Sequence, residues 1–243
     1  MHRLLEQLLD TLIVLFGVST LVFLLLVLIP GDPVDVVLGE SAQAADREAM
    51  RSALGLDRPL WERWGGFYLD LLRGDLGDSL LRRQPVGGLI LQRLPATLQL
   101  AGAAFLLVLL VAVPLGVLAA RRRGRWPDRL AQAFALVGVS IPNFWLGPLL
   151  VLLCSVALGW TPVRGNQEPG SLILPALTLG LSRAALTTRM VRSSLLEIES
   201  QDVLRTARCK GLSEAAVMWR HSLPNALLPV ITVLGLQLGG LLA

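Results

Sequence analysis

Lys210, His2, His221, Cys154 and Cys209 are the side chains from which phosphate, metal or thiol chemistry would have to be built; the chain has no other lysine, histidine or cysteine. A Walker-type phosphate loop needs Gly-Lys-Ser/Thr, so that backbone amides and the lysine together hold the phosphates. Lys210 stands instead in Cys209-Lys210-Gly211-Leu212. The two histidines and two cysteines have no metal-ligand spacing, and no Gly-x-Ser-x-Gly elbow is present. The sequence therefore reads as carrying no catalytic centre of its own. Transporters coupled to protons or ions keep carboxylates or histidines in their spans, because such groups are costly there unless used. In the apolar segments here the exceptions are arginines: Arg183 and Arg189, with Arg192 following. They read as snorkelling to the inner headgroups, with lining of an inner vestibule as the alternative.

The polar stretch Asp202 to Pro224 lies between two apolar ones. It reads as a short amphipathic helix, a break at Gly211, a second helix and a stop at Pro224. A helix–glycine–helix elbow at a membrane face points to a soluble domain docking there. An interfacial amphipathic helix without a partner is the other reading.

Those segments must be positioned by the rest of the chain. Its 243 residues are 53% hydrophobic and 16% charged, with mean hydropathy +0.63. Soluble domains are about 25% charged, so the deficit and the apolar runs of about 20 residues indicate a multi-span α-helical membrane protein. Membrane β-barrels would alternate apolar and polar residues. The net charge of +4 comes from arginines clustered at the edges of apolar runs, which suits positive-inside anchoring better than nucleic-acid binding. The length of the first apolar run argues against a cleaved signal peptide, and Cys154 and Cys209 lie too far apart to suggest a disulfide.

In order, an apolar run over residues 11–29 is the first span, ended by Pro30-Gly31-Asp32-Pro33. Residues 34–95 are mostly polar and balanced in charge, which suits a small folded element. The pattern predicts helices over 40–54 and 59–72, and a turn-rich break at 74–79. A second span is expected over 97–119, followed by the basic loop Arg121-Arg122-Arg123-Gly124-Arg125. A third span within 131–158 is expected to be interrupted by Ile141-Pro-Asn-Phe-Trp145 and Pro148 and kinked at Pro142, and a nearly neutral loop follows at 159–170. The fourth span starts near Ser171, contains Pro175 and runs toward the arginines. A fifth apolar run, 225–243, follows the elbow. Loop charges predict the N-terminus, the arginine loop and the elbow on the cytoplasmic side. Residues 1–95 are taken as a span plus external region and 96–243 as a transmembrane core. Because the chain stops inside an apolar run, a longer natural chain with a sixth span is expected.

The elbow resembles the loop shared by permease subunits of ABC importers: Glu-Ala-Ala, three residues, Gly, nine residues, Ile-x-Leu-Pro. The register here gives Arg205-Thr206-Ala207, Gly211 and His221-Ser222-Leu223-Pro224, with full spacing. Arg in place of Glu, and His in place of Ile, resemble the peptide-type subfamily, whose segment reads close to Arg-Thr-Ala-Arg-Ala-Lys-Gly-Leu. Other segments are similar to the first permease of dipeptide, oligopeptide and nickel importers. They include Gly55-Leu-Asp-Arg-Pro-Leu60, Leu94-Pro-Ala-Thr97, Ile141-Pro-Asn-Phe-Trp145 and Leu174-Pro-Ala-Leu-Thr-Leu179.

The resemblance implies an all-α, polytopic type I ABC importer permease in a bacterial inner membrane. It implies as partners a second, different permease subunit, two ABC ATPase subunits, an extracytoplasmic substrate-binding protein and the surrounding lipid, and no nucleic acid. ATP and Mg would be used by the ATPases, with no cofactor on this chain. The ATPase-coupling residues would be Arg205, Thr206, Ala207, Lys210, Gly211, His221, Leu223 and Pro224. Pro142, Asn143, Trp145 and Pro175 are candidate pore or hinge residues, and Pro114, Pro148 and Pro229 could also be hinges. Peptides are the default substrate, with nickel, a metal chelate or glutathione as alternatives. An ATP-independent transporter or channel, and a membrane scaffold or sensor, remain open.

Overall fold

Helix α8 (Ile173–Glu199) carries small residues along its length, and its neighbours use them to approach closely. A Cβ on Gly116 would fall 2.6 Å from Val191 Cβ and 3.0 Å from the Thr188 carbonyl; one on Gly180 would fall 2.8 Å from Leu107. A Cβ on Gly138 would meet Ala185 at 2.5 Å. Between helices in a bilayer, where lipid tails are as apolar as leucine, such contact replaces the hydrophobic drive. α8 is thereby held by α5 (Val86–Arg121) and α6 (Trp126–Ser140), and it also packs on α11 (Leu223–Leu242). Val108, Ala112, Val191, Leu195, Met218, Ala226 and Val230 form the resulting core.

The computed structural model describes residues 2–28, 31–39, 43–79, 81–163, 168 and 170–242. They are helical throughout, with no strand and one isolated bridge, Asp78 to Pro85. Three helices are long and apolar enough to cross a membrane: Leu5–Leu28 of α1 (His2–Leu28), α5, and the continuous Glu214–Leu242. The α6 and α7 (Asn143–Leu150) pair, extended by a π-helical turn over Val151–Ala157, would make a fourth. α8 falls outside that set; it carries Arg183, Arg189 and Arg192.

The chain divides into two compact units, residues 1–93 and 94–243. In the first, α2 (Pro33–Leu38) is capped by the Asp32 carboxylate, which accepts from the Val34 N–H and pairs with Arg51 of α3 (Ala44–Ala53). The amide bond, aided by the nearby arginines, holds that carboxyl below the usual range. α4 (Leu60–Leu72) lies along α1 through aromatic contacts: Phe16 meets Trp64 and Tyr68, and Phe23 meets Phe67. The Tyr68 hydroxyl sits 2.8 Å from Ser19 Oγ and 2.7 Å from Thr20 Oγ1, and it donates to the Phe16 carbonyl.

Several sequence expectations need correcting. The helix expected over 40–54 is α3 preceded by a separate α2; residues 40–42 lie outside the described set. The second span starts eleven residues earlier, at Val86, and runs through Pro95 and Pro114 without a break. A membrane helix tolerates proline where neighbours or local adjustment satisfy the freed carbonyls. The third span is interrupted where expected, but at Pro142 the kink is a full break. α6 ends at Ser140, and α7 leaves at 103° after Ile141 and Pro142, both extended. Pro142 biases Ile141 to the extended region, so the helix stops there.

We expect Gly116→Ala to lower the stability of the purified protein by about 1–3 kcal/mol, the usual cost of overpacking. Gly102→Ala, whose Cβ would meet nothing within 4 Å, should be neutral. Thermal unfolding of the two variants checks this.

Candidate coupling site

After α8 ends at Glu199, the chain turns through Ser200 and Gln201 into α9 (Asp202–Cys209). Apolar residues three apart, Leu204 and Ala207, lie on one face of α9, and both are buried. They meet Val217, Ile198 and Leu212 in a small core of their own. The rest of the α9 surface exposes Val203, Arg205, Thr206 and Arg208, and Lys210 follows as its exposed C-cap. The Thr206 hydroxyl donates back to the Asp202 carbonyl.

Gly211 then adopts φ +78°, with nothing within 4 Å of where a Cβ would stand. Its requirement is one of backbone sign, since L-residues pay about 1–2 kcal/mol there. Ser213 caps the next helix, α10 (Glu214–Val217), by accepting from the Ala216 N–H. Arg208 reaches across the glycine to Glu214, its Nε donating to Oε1 at 2.9 Å and its Nη2 to Oε2 at 3.4 Å. This two-pronged pair braces the bend and raises the guanidinium's already high pKa.

α10 passes through a π-helical turn over Met218–Ser222 directly into α11. Pro224 lacks an N–H, so the α-helical bond from position 224 cannot form. The wider turn accommodates this: the Leu223 N–H donates to Met218, and the Asn225 side chain donates to the His221 carbonyl at 2.6 Å. The second arm of the elbow is therefore the start of α11 itself. Leu223 is buried in the main core, His221 is half-buried and Pro224 is exposed.

Of the residues singled out in sequence, Arg205, Thr206 and Lys210 form an outer face and Gly211 the bend, while Ala207 and Leu223 are packing residues. Trp219 and Arg220, exposed on the second arm, and Val203 extend the outer face but were not foreseen. No local pattern marks Val203 as exposed, since it is apolar and adjoins the buried Leu204. Pro142 caps α7, Asn143 is its first residue, and Trp145 is exposed. Pro175 lies in the first turn of α8, where a missing N–H leaves no bond unmade.

Sequence reasoning missed the main ion pair. Asp128, in the first turn of α6 and 1% exposed, accepts from Arg192 Nε at 2.5 Å and Nη2 at 2.9 Å. It also accepts from the Gly124 N–H at 2.8 Å and Gln132 Nε2 at 2.9 Å. Arg192 therefore does not snorkel to headgroups, because a buried carboxylate holds it more tightly than a hydrated surface would. Arg183 donates to the Gly240 carbonyl at 3.0 Å and to Leu179 at 3.3 Å, tying α8 to α11 rather than reaching for lipid. The Thr187–Gln237 side-chain bond joins the same two helices. Asp128 starts α6 and Arg192 lies near the end of α8, so the pair puts the arginine loop and the elbow at one end of the core. The loop before α8 is at the other end, since a 27-residue helix is about 40 Å long.

Residues 112–243 match the family described as binding-protein-dependent transport system inner membrane component, and residues 1–101 match its N-terminal companion. The chain is 41% identical over 242 residues to the glutathione transport system permease protein GsiC of Escherichia coli strain K12, and to that of Shigella dysenteriae serotype 1. It is 40% identical to that of Shigella flexneri serotype 5b. In each case the match covers 100% of this chain and 79% of the relative.

Asp128→Ala is expected to destabilise the protein by about 2 kcal/mol, because it removes a buried carboxylate and leaves the half-buried Arg192 guanidinium without its partner. The double variant Asp128→Ala/Arg192→Ala should recover part of that loss, which thermal unfolding of both would reveal.

Proposed function

The chain belongs to the family of binding-protein-dependent transport inner-membrane components, as a permease of the peptide-, oligopeptide- and nickel-type ABC importers, and from that premise we propose that it imports short peptides bearing free carboxylates, glutathione among them. It is a multi-pass inner-membrane protein. Glutathione enters because the relatives named above are glutathione permeases; a glutathione molecule is itself a small peptide, so the peptide reading and these names converge.

The partners in this reading are a second, different permease, two ABC ATPases that bind ATP and Mg, and an extracytoplasmic binding protein. ATP binding closes the ATPase dimer, and the outer face of α9 follows it. The observation that supports the coupling role is the elbow's construction: α9 hangs on α8, the second arm runs on as α11, and α8 and α11 share one core. A push on the elbow then acts on both helices at once. Arg205, Thr206 and Lys210 would touch the ATPase, Gly211 would hold the bend, and Ala207, His221, Leu223 and Pro224 would fix the arms. Pro142, Asn143 and Trp145, at the 103° break, are the hinge candidates, with Pro175 holding the start of α8.

Charge supports the orientation. The arginine loop shares an end with the elbow, and positive loops stay in the cytoplasm. α5 ends at that loop, so it begins outside; the segment before it is outside too, and α1 starts in the cytoplasm. Residues 1–95 then form the first span and external region, and 96–243 the transmembrane core.

Uptake of labelled glutathione, a labelled dipeptide and nickel into cells lacking the gene, with and without its return, tests the substrate. Peptide or glutathione uptake restored by the gene supports the reading; nickel alone would move the protein to the metal branch. Gly211→Pro should leave an assembled complex whose ATP hydrolysis no longer drives transport, and normal transport would remove the elbow from the mechanism. A cysteine at Ser79 should react with an impermeant reagent from outside only; reaction only from inside would invert the topology.

A further inference from the structure

Between α6 and α8 lies a cleft of about 630 Å³, within the range of small-molecule sites. Ala135, Leu136 and Val139 of α6 form its apolar side; Gln132 and Ser140 of the same helix, and Thr188, Arg189 and Ser193 of α8, are its polar lining. Arg192 also borders it, but its charge is cancelled by Asp128. The serine and threonine hydroxyls already donate to carbonyls of their own helices: Ser140 to Leu136, Thr188 to Ala184 and Ser193 to Met190. Gln132 donates to Asp128. Arg189 is different. It is exposed and has neither an ion-pair nor a hydrogen-bond partner among the described residues.

A guanidinium left open toward a polar cleft in a membrane core faces water or a partner surface, because lipid would make it costly. Its five fixed donors suit a carboxylate in two-pronged geometry. The neighbouring hydroxyl oxygens can still accept from the rest of a peptide.

We propose that the α6–α8 cleft is a transient anion subsite on the solute path, in which Arg189 receives a carboxylate of the passing peptide. The proposal rests on the permease reading above and deepens it by naming the group on the solute that the path recognises. The pairing of Arg192 with Asp128 leaves a single net positive charge, and one charge in a hydrated cleft attracts an anion without trapping it. Arg189 is a solute-binding residue in this account, and Asp128 and Arg192 position the two helices that form the cleft.

The test reads the cleft's electrostatics and does not need the transported solute to be known. In the assembled complex in phosphatidylcholine nanodiscs, with Cys154 and Cys209 replaced by serine, Ser193→Cys lies one helical turn from Arg189. Its modification by an anionic and a cationic methanethiosulfonate reagent is compared. A guanidinium about 4 Å away in a water-like medium should favour the anionic over the cationic reagent roughly 25-fold, about fivefold from attracting the one and about fivefold from repelling the other. Arg189→Gln should abolish that preference and Arg189→Lys should keep it, both read in complexes whose assembly is checked by size-exclusion chromatography. S-methylglutathione, which has no thiol to consume the reagent, should slow the anionic reaction in the arginine form more than in the glutamine form. Equal rates with both reagents, or no reaction with either, would overturn the proposal. So would a preference that vanishes in phosphatidylglycerol nanodiscs and ignores S-methylglutathione, since lipid phosphate would then be the ligand. A complex that transports none of the solutes tested, yet shows the protected preference, would defeat the substrate reading and leave the anion subsite standing.

Discussion

Close approach of helix backbones to α8 is the constraint on which the transmembrane core depends. Gly116, Gly138 and Gly180 have no room for a methyl group where helices meet. Because lipid offers leucine-like surroundings everywhere, a membrane protein gains little from burying leucines and much from fitting backbones together. The many large exposed apolar residues on α5 and α11 then face lipid or partner subunits without cost. The small ones face inward. With α8 fixed, the helix can carry arginines that a lipid-facing span could not. Arg192 meets Asp128, Arg183 meets a carbonyl of α11, and Thr187 meets Gln237.

That arrangement makes α8 the shared element of two sites. Its end leads into the elbow, whose small core includes Ile198 of α8 and whose second arm runs on without a break into α11. About two to three turns earlier the same helix lines the α6–α8 cleft. A displacement of the elbow therefore acts on a helix that also borders the cleft, with no flexible linker between them. The Arg208–Glu214 pair spans the bend at Gly211 and links the two arms.

Local signals were legible in the sequence, and contacts between distant segments were not. Gly211 could be read because a glycine between two helical patterns has few other uses, and φ +78° bears that out. The helix over Leu60–Leu72 followed from its aromatic and leucine spacing. By contrast, Asp128 and Arg192 are 64 residues apart, and nothing near Asp128 marks its carboxylate as more than one charge in a basic loop. The early start of α5 was hidden because Gly87, Gly88 and Pro95 argue locally against a helix that nevertheless runs on unbroken through them. The break at Ile141 and Pro142 was visible as a proline, but its angle depends on how α7 settles on α8, which no local pattern encodes. Of the elbow, the bend and outer polar face were readable, whereas the inward roles of Ala207 and Leu223 depend on the core they enter.

The central claim is that the outer face of α9 meets the motor. A photo-crosslinking amino acid at Val203, which is exposed on that face, tests it in the assembled complex, with Trp160 in the loop before α8 as the comparison. The account predicts that Val203 captures an ATPase subunit and that Trp160, at the far end of α8, captures none. Capture of the ATPase from Trp160, or only of lipid from Val203, would contradict it.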